Sequence, residues 1–126
     1  MLRACRRLLR PGGRIAYLTI FTTPGLSKRD HRRAVRQGPR AVASRREQAE
    51  LLQAAGLVEV LETDVTADFL ETARRWVNHA SKFEGELRST LGDTLFDEQQ
   101  TARRAMIAAI EEGLLSRALF EGTKAK

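Results

Sequence analysis

Few side chains in this sequence carry chemistry that a catalytic or metal centre would use. It contains one cysteine, Cys5, and two histidines, His31 and His79. A reactive thiol needs a neighbouring base, and a zinc site needs several Cys or His ligands at short spacings. The ionisable side chains near Cys5 in the sequence are all arginines. No Cys or second His accompanies His79 at ligand spacing. The sequence therefore predicts a buried structural thiol at Cys5 and no metal site.

His31 stands in the basic segment "KRDHRR". Because an imidazole titrates near neutral pH, His31 is a candidate acid or base on the substrate side of an intact enzyme. The pattern favours the simpler interpretation, a solvated surface histidine. The sequence contains no recognisable Ser-His-Asp, Cys-His or paired-carboxylate arrangement, and no G-x-G segment that would form a phosphate-binding loop.

The charges of the chain are unevenly distributed. Residues 1–46 carry 13 Lys or Arg and one acid, whereas residues 47–126 carry 9 bases and 15 acids, for a net charge of +6. A basic segment attracts phosphates, but nucleic-acid binding also needs a reading helix or stacking aromatics, and neither is evident. Nucleic acid is therefore disfavoured as a partner.

The length of 126 residues predicts one small domain. Its apolar runs fall far short of the roughly 20 residues that span a bilayer, so we expect no membrane partner. The N-terminus lacks the apolar core and cleavage site of a signal peptide, and a single cysteine fits a reducing compartment. These features predict a cytoplasmic protein.

The start of the chain predicts a helix, a turn and a strand. Residues 2–9 have helical periodicity, with an apolar face formed by Leu2, Cys5, Leu8 and Leu9. Pro11 ends the helix, and Gly12-Gly13 permit a tight turn. The segment "RIAYLTIF" that follows is nearly all apolar, which predicts a strand covered on both faces.

Residues 22–44 are predicted to form a loop, a short basic helix and a second loop. Ser27 and Asp30 have the spacing of a capping box at the start of that helix. Segments of this kind, after the carboxyl end of a parallel strand, commonly form lids and binding sites in α/β proteins.

A further strand and helix follow the lid segment. Ser44 and Glu47 form a second capping box, which opens a helix that Gly56 ends. The segment "LVEVLETDV" then alternates, with Glu59 and Glu62 facing outward, and predicts a second strand.

The last part of the sequence predicts two helices and a strand. Residues 66–91 carry an apolar stripe at helical spacing, and Gly92 ends it. Thr94 and Asp97 cap a further helix, which ends at Gly113. The segment "LLSRALFEG" predicts the final strand.

The order of these elements resembles the second half of a class I S-adenosylmethionine-dependent methyltransferase. "RACRRLLRPGGRIAYLTI" is similar to the family's helix and "L-x-P-G-G-x-L" turn, which lead into its fifth strand. "ELLQAAGLVEV" looks like the family's "LL-x-x-A-G-F" helix running into strand six. "GLLSRALFEGTK" looks like the antiparallel strand seven, which lies between strands five and six. The resemblance covers essentially the whole chain.

The resemblance implies an α/β fold with a partial Rossmann-like sheet of about three strands, the equivalents of strands five, six and seven. Covering helices and a long helical hairpin complete it. Residues 1–126 would form a single partial methyltransferase-like domain. Within it, residues 22–44 would be the lid and residues 66–113 a helical hairpin insertion.

The resemblance also implies which parts of a methyltransferase the chain lacks. The family binds S-adenosylmethionine with a Gly-rich loop after strand one and an acidic residue ending strand two. Strands one to four would all lie upstream of Met1. We therefore assign no cofactor-binding residue and expect this chain alone to bind no cofactor.

The family places its methyl acceptor, for which we expect a small molecule, at the carboxyl end of strand five. The substrate-side candidates that this implies are Thr19, Phe21, Thr22, Thr23, His31 and Trp76. Ordinary strand-end and loop roles are the alternative for the threonines and Phe21. A place in the core of the helical hairpin is the favoured interpretation for Trp76 and Phe69.

Two functions follow as hypotheses. The chain is either the acceptor-side, C-terminal portion of a methyltransferase, inactive without an N-terminal half that precedes it or joins it in trans, or a non-catalytic interaction module. Without strand four, the edge of Ile15–Ile20 has no partner strand. The second hypothesis uses that edge to form a homodimer.

Overall fold

The structure is a computed structural model that describes residues 1–39 and 47–126. Within these residues the chain forms six helices and three strands. In chain order they are α1 (Leu2–Leu8), β1 (Arg14–Thr22), α2 (Lys28–Gln37), α3 (Gln48–Ala54), β2 (Leu57–Asp64), α4 (Thr66–Lys82), α5 (Glu84–Leu91), α6 (Asp93–Glu111) and β3 (Leu115–Lys124). The predicted capping residue Ser44 lies outside the described residues.

The three strands form one sheet in the order β1-β3-β2, with β3 antiparallel to both neighbours. This confirms the predicted fold class and the position of the last strand between the other two. β1 and β2 therefore run in the same direction. Their carboxyl ends, Thr22 and Asp64, lie at the end of the sheet where β3 begins at Leu115.

The Pro-Gly-Gly turn is hydrogen-bonded to the far end of β3. Gly12 donates its N–H to the Lys124 carbonyl, and Lys124 donates its N–H to the Gly13 carbonyl, both at 2.8 Å. Gly12 has φ +78°, where a side chain is strained, and a Cβ on Gly13 would lie 2.8 Å from the Arg10 carbonyl. Both glycines are therefore needed to bring α1 and β1 onto the end of β3.

One face of the sheet packs against α1 and α3. Leu52 of α3 is fully buried with Leu57, Ala118 and Phe120 of the sheet. The Phe120 ring lies 5.6 Å from the ring of Tyr17. Tyr17 also donates its hydroxyl to Gln48 Oε1 at 3.1 Å, which fastens β1 to the start of α3.

The opposite face packs against α2, α4 and α6 at the end where β3 begins. Side chains alternate along β3, so Leu115 and Phe120 lie on opposite faces. The residues buried together on this side are Ala34, Phe69, Ala73, Met106, Ala109, Ile110, Leu114 and Leu115. The helices α4 to α6 are thus anchored on the start of β3.

Two exposed leucines correct the sequence predictions. The prediction that β1 is covered on both faces is wrong, because Leu18 is 50% exposed. Leu18 lies opposite Leu119, whereas the described helices on that face pack near Leu115. Leu8, predicted on the apolar face of α1, is 88% exposed. The helix ends at Leu8, and the extended Leu9 packs on the core instead.

The predicted helix over residues 66–91 is two helices in the structure. Phe83, with φ −107° and ψ 26°, separates α4 from α5. Gly85, a poor helix former, follows two residues later. Gly92, with φ +86°, separates α5 from α6 as predicted.

The predicted cap of the following helix is wrong. α6 begins at Asp93, one residue before Thr94, and no side-chain cap bond is formed at its first residues. Asp97, the second member of the predicted box, accepts a hydrogen bond from Arg88 at 2.7 Å. In the structure the Asp97 carboxylate therefore pairs with a guanidinium on α5, and the start of α6 has no side-chain cap. The end of this helix at Gly113, with φ +77°, is confirmed.

Leu52→Ala should lower the free energy of unfolding by about 2–5 kcal/mol, because it leaves a cavity in the core beneath the sheet. Leu8→Ala, the same substitution at an exposed site, should change it by less than about 0.5 kcal/mol. Urea unfolding followed by far-UV circular dichroism measures both. Equal losses in the two variants would contradict the packing described above.

Tyr17→Phe should lower the free energy of unfolding by about 1 kcal/mol near neutral pH, because it removes the hydrogen bond to Gln48. Burial raises the pKa of Tyr17 above its ordinary value of 10.0. The contribution of the protonated phenol is therefore complete below pH 10.0 and is lost as the pH rises through the higher folded-state pKa.

The difference in unfolding free energy between the parent and Tyr17→Phe should therefore narrow above pH 10.0. Tyr17 is the only tyrosine, so this narrowing reports on one phenol. Urea unfolding at neutral and alkaline pH provides the measurement. A difference that stays constant or grows with pH would show that the phenol is not held in its protonated form.

Candidate functional site

A small pocket lies at the carboxyl end of β1, in the position that open α/β sheets use for ligands. Its volume is about 100 Å³. We call it the strand-end pocket, and its described lining residues are Phe21, Thr22, Thr23, Pro24, Gly25, Leu26, His31, Glu47, Gln48, Glu62 and Phe120. These residues come from all three strands, the loop after β1, and the beginnings of α2 and α3.

The start of α2 is fixed on this pocket by a cap and an ion pair. Ser27 Oγ accepts the Asp30 N–H at 3.1 Å, as predicted, and begins α2 just before His31. Arg33 donates to Glu112 at 2.6 Å and ties α2 to the end of α6. This hydrogen bond raises the pKa of Arg33 above its ordinary value. His31 is thereby held over the end of β1.

His31 presents a polar atom that the described residues leave without a partner. Its Nε2 atom is buried and forms no hydrogen bond within residues 1–39 and 47–126. Buried nitrogen atoms are almost always hydrogen-bonded in folded proteins. His31 is among the residues that line the strand-end pocket.

Two carboxylates give the pocket its charge. Glu47, just before α3, and Glu62, near the end of β2, line it together with His31. Gln48 lies beside Glu47, and its side chain is oriented by the Tyr17 hydroxyl. Among the described lining residues the ionisable groups are thus acidic or imidazole, an arrangement that suits a neutral or cationic ligand better than an anion.

The structure brings four of the six predicted site residues into this pocket. Phe21, Thr22, Thr23 and His31 all line it. Thr23 also exchanges a hydrogen bond of 2.9 Å with the Ser116 hydroxyl, which fixes its side chain against the start of β3.

Thr19 is not among the residues that line the strand-end pocket. Its hydroxyl donates to the Ile20 carbonyl at 3.3 Å, an ordinary local contact within β1. Thr19 lies opposite Ala118 of β3, two residues farther from the end of β1 than Phe21.

Trp76 lines a different cavity, an open space between α4, α5 and α6. Its ring meets the ring of Phe69 edge to face, with centroids 5.8 Å apart. We call this space the helical cavity. Its volume is about 610 Å³, and its lining residues are Trp76, His79, Ala80, Phe83, Glu86, Leu87, Thr90, Leu91, Phe96, Gln99, Gln100 and Arg103.

Several lining residues were not predicted as site residues. The sequence pattern assigned Glu47 to a helix cap and Glu62 to the outer side of a strand. Gln48 and Phe120 gave no signal, because their roles depend on a long-range hydrogen bond and a ring contact. The one available signal was the place of Glu62 near the carboxyl end of β2, parallel to the carboxyl end of β1.

In residues 1–39 and 47–126, no cluster of three or more His, Cys, Asp or Glu side chains is arranged to hold a metal ion. No helix in the same residues has both the length and the apolar content to cross a membrane.

Comparison with known proteins finds no matching protein-family model and no matching curated sequence. Solved structures do match. Phosphoethanolamine N-methyltransferase 2 from Haemonchus contortus, in complex with phosphomonomethylethanolamine and S-adenosylhomocysteine, has a TM-score of 0.82 and 14% identity over 99% of this chain and 29% of its own.

Two further structures give the same picture. A putative sarcosine dimethylglycine methyltransferase from Galdieria sulphuraria has a TM-score of 0.82 and 15% identity over 98% of this chain and 46% of its own. A cyclopropane synthase from Mycobacterium tuberculosis has a TM-score of 0.77 and 12% identity over 98% of this chain and 48% of its own.

This chain therefore spans less than half of the length of each of these three proteins. Agreement over nearly all of its own residues, at such low identity, establishes the fold. The architecture of this chain is that of a part of the S-adenosylmethionine-dependent methyltransferase fold.

Proposed function

We propose that this chain is the C-terminal, acceptor-side portion of an S-adenosylmethionine-dependent methyltransferase that acts on a small molecule. One observation carries the proposal: the fold matches methyltransferases over 98–99% of the chain while covering only 29–48% of the three proteins described above. A chain of this extent provides one side of such a fold, and the remaining side must come from elsewhere.

The strand-end pocket is our choice for the acceptor site. It lies at the carboxyl ends of the parallel strands, where ligands bind in open α/β sheets. Its volume of about 100 Å³ is well below the roughly 300–1,000 Å³ of typical small-molecule sites. This size supports a site that is completed by another segment.

The lining residues suggest distinct roles. Phe21, Thr22 and Thr23 would form the wall beside the acceptor. His31 would hydrogen-bond to it through its Nε2 atom, which has no partner among the described residues. The carboxylates of Glu47 and Glu62 favour an amine acceptor. Thr19 and Trp76 receive no acceptor contact in this proposal.

The strand-end pocket is not our choice for the site of the donor, S-adenosylmethionine. Its volume of about 100 Å³ is small for a nucleoside, and the one glycine among its described lining residues, Gly25, lies in the loop after β1 with φ +84°. We therefore propose that the donor site belongs to the other half of the fold. Methyl transfer depends on bringing donor and acceptor into line, and this chain would contribute only the acceptor position.

We extend the proposal to the organisation of the chain. Residues 1–126 would form a single partial domain, with residues 22–44 as its lid and residues 66–113 as the helical insertion. A cytoplasmic location agrees with the single cysteine and with the cofactor-dependent chemistry proposed.

The test uses the protein purified from its own cells and weighed by intact mass. We expect a species heavier than 14.1 kDa, or a second polypeptide that copurifies with this one. That species should bind S-adenosylmethionine in calorimetry and transfer its methyl group to a small molecule of the cell extract, whereas the 126-residue chain expressed by itself should bind none. A micromolar site in the isolated chain would refute the proposal.

Two variants of the native assembly separate the acceptor side from the donor side. His31→Phe should reduce methyl transfer by about tenfold or more while the affinity for S-adenosylmethionine stays unchanged. Asn78→Phe places the same ring on the exposed side of α4, outside both cavities, and should leave both quantities unchanged. A loss of donor affinity in His31→Phe would move this residue to the donor site.

The open edge of the sheet supports an alternative, a non-catalytic module that pairs with itself. β1 bonds on one side to β3, and its other side has no partner strand within the described residues. Ala16 and Leu18 are exposed beside that edge. Apolar edge strands without charged side chains pair readily with other chains.

If the edge joins two copies, sedimentation velocity should show that the isolated chain dimerises as its concentration rises. Leu18→Lys should then weaken the dimer at least tenfold, because a lysine on an edge strand opposes pairing. Leu95→Lys adds the same charge at an exposed leucine of α6 and should leave the dimer intact. A stable monomer at every concentration would eliminate the alternative.

A further inference from the structure

The helical cavity shares no lining residue with the strand-end pocket. Its volume of about 610 Å³ is within the range of small-molecule sites. Six of its twelve lining residues are apolar: Trp76, Ala80, Phe83, Leu87, Leu91 and Phe96. The cavity is therefore a second, separate space of predominantly apolar character.

A buried amide at this cavity has an oxygen atom without a hydrogen-bond partner among the described residues. Gln100 is only 4% exposed, and its Nε2 donates to the Val77 carbonyl at 3.3 Å. Its Oε1 atom forms no hydrogen bond with any described residue. Exchanging the two amide atoms would place oxygen against the Val77 carbonyl, so the assignment is chemically required. Gln100 is one of the residues that line the cavity.

The aromatic residues at the cavity are incompletely covered. Trp76 is 47% exposed and Phe83 is 52% exposed. Both line the cavity: Trp76 lies in the C-terminal half of α4, and Phe83 separates α4 from α5. A molecule in the cavity would cover part of this apolar surface, which favours binding.

The remaining wall, α5, is held in place by charge. Arg88 of α5 forms ion pairs with Glu84, Asp93 and Asp97, at 3.2, 3.2 and 2.7 Å. Its guanidinium also lies 4.4 Å from the centre of the Phe96 ring. The hydrogen bond with Asp97, above all, raises the pKa of Arg88 above its ordinary range. These contacts join α5 to α6 and hold the cavity wall in position without a ligand.

We propose that the helical cavity binds a small, mainly apolar molecule carrying a hydroxyl or N–H group, which donates to Gln100 Oε1. Apolar walls supply the affinity, and the buried acceptor supplies the selectivity. A molecule of the same shape without a donor leaves the amide oxygen unpaired and binds more weakly. This site does not depend on methyl transfer, because it lies within the three helices and outside the proposed acceptor pocket.

Borneol and camphor test the proposal with the isolated chain. They have nearly the same cage shape, but borneol carries a hydroxyl and camphor a ketone that cannot donate. Trp76, the single tryptophan, lines the cavity and reports occupancy by its fluorescence. We expect a saturable change with both probes and an affinity about tenfold higher for borneol.

Gln100→Leu should equalise the two affinities, because it removes the acceptor and keeps the volume. Ser89→Ala, on the exposed side of α5, should keep the preference for borneol. Circular dichroism verifies the fold of each variant, and the comparison of the two probes on the parent chain stands even if Gln100→Leu does not fold. Equal affinities of the parent chain for borneol and camphor would overturn the proposal, and so would the absence of a saturable change in fluorescence. A dimer in which Trp76 is covered by the second copy would also overturn it.

Discussion

The pairing of β3 with both other strands is the interaction on which the rest of the structure depends. β3 is the last element of the chain, and it hydrogen-bonds along all of β1 and most of β2. β1 and β2 do not pair with each other, so without β3 the described strands form no sheet. The partners of β1 lie about a hundred positions away along the chain, from Arg14 with Thr123 to Thr22 with Leu115. Such long-range pairing costs much entropy before it stabilises anything.

This dependence divides the molecule into two parts. On one face of β3, Phe120 packs with Tyr17, Phe21 and the helix α3. On the other face, Leu115 packs against α4 and α6. The strand-end pocket lies where β3 begins and is therefore built by the sheet. The helical cavity lies between the C-terminal half of α4 and the N-terminal half of α6. Contacts between the helices and the Arg88 ion pairs define it. The two cavities are thus controlled by different interactions.

Much of the fold could be predicted from the sequence, because its signals are local. The turn after α1, the strands and the glycines at 56, 92 and 113 follow from residue types, and the strand order followed from the resemblance of three ordered landmarks. The break at Phe83 could not be predicted, since the apolar stripe continues through it. The exposure of Leu18 could not be predicted either. An apolar sequence indicates that a strand favours burial on both faces. Whether both faces are buried depends on where the helices pack.

The site was harder to predict than the fold, and the reason is physical. Phe21, Thr22 and Thr23 follow one another along the chain, so a single statement about a strand end locates all three. Gln48 enters the same pocket through a hydrogen bond to Tyr17 across 31 positions, which no local pattern records. Gln100 differs again, because what singles it out is an amide oxygen that has no partner among the described residues. The shape of a pocket and the hydrogen-bonding of its buried polar atoms arise only when side chains from distant segments meet. A local sequence pattern can therefore locate a strand end, but it cannot tell whether a pocket forms there.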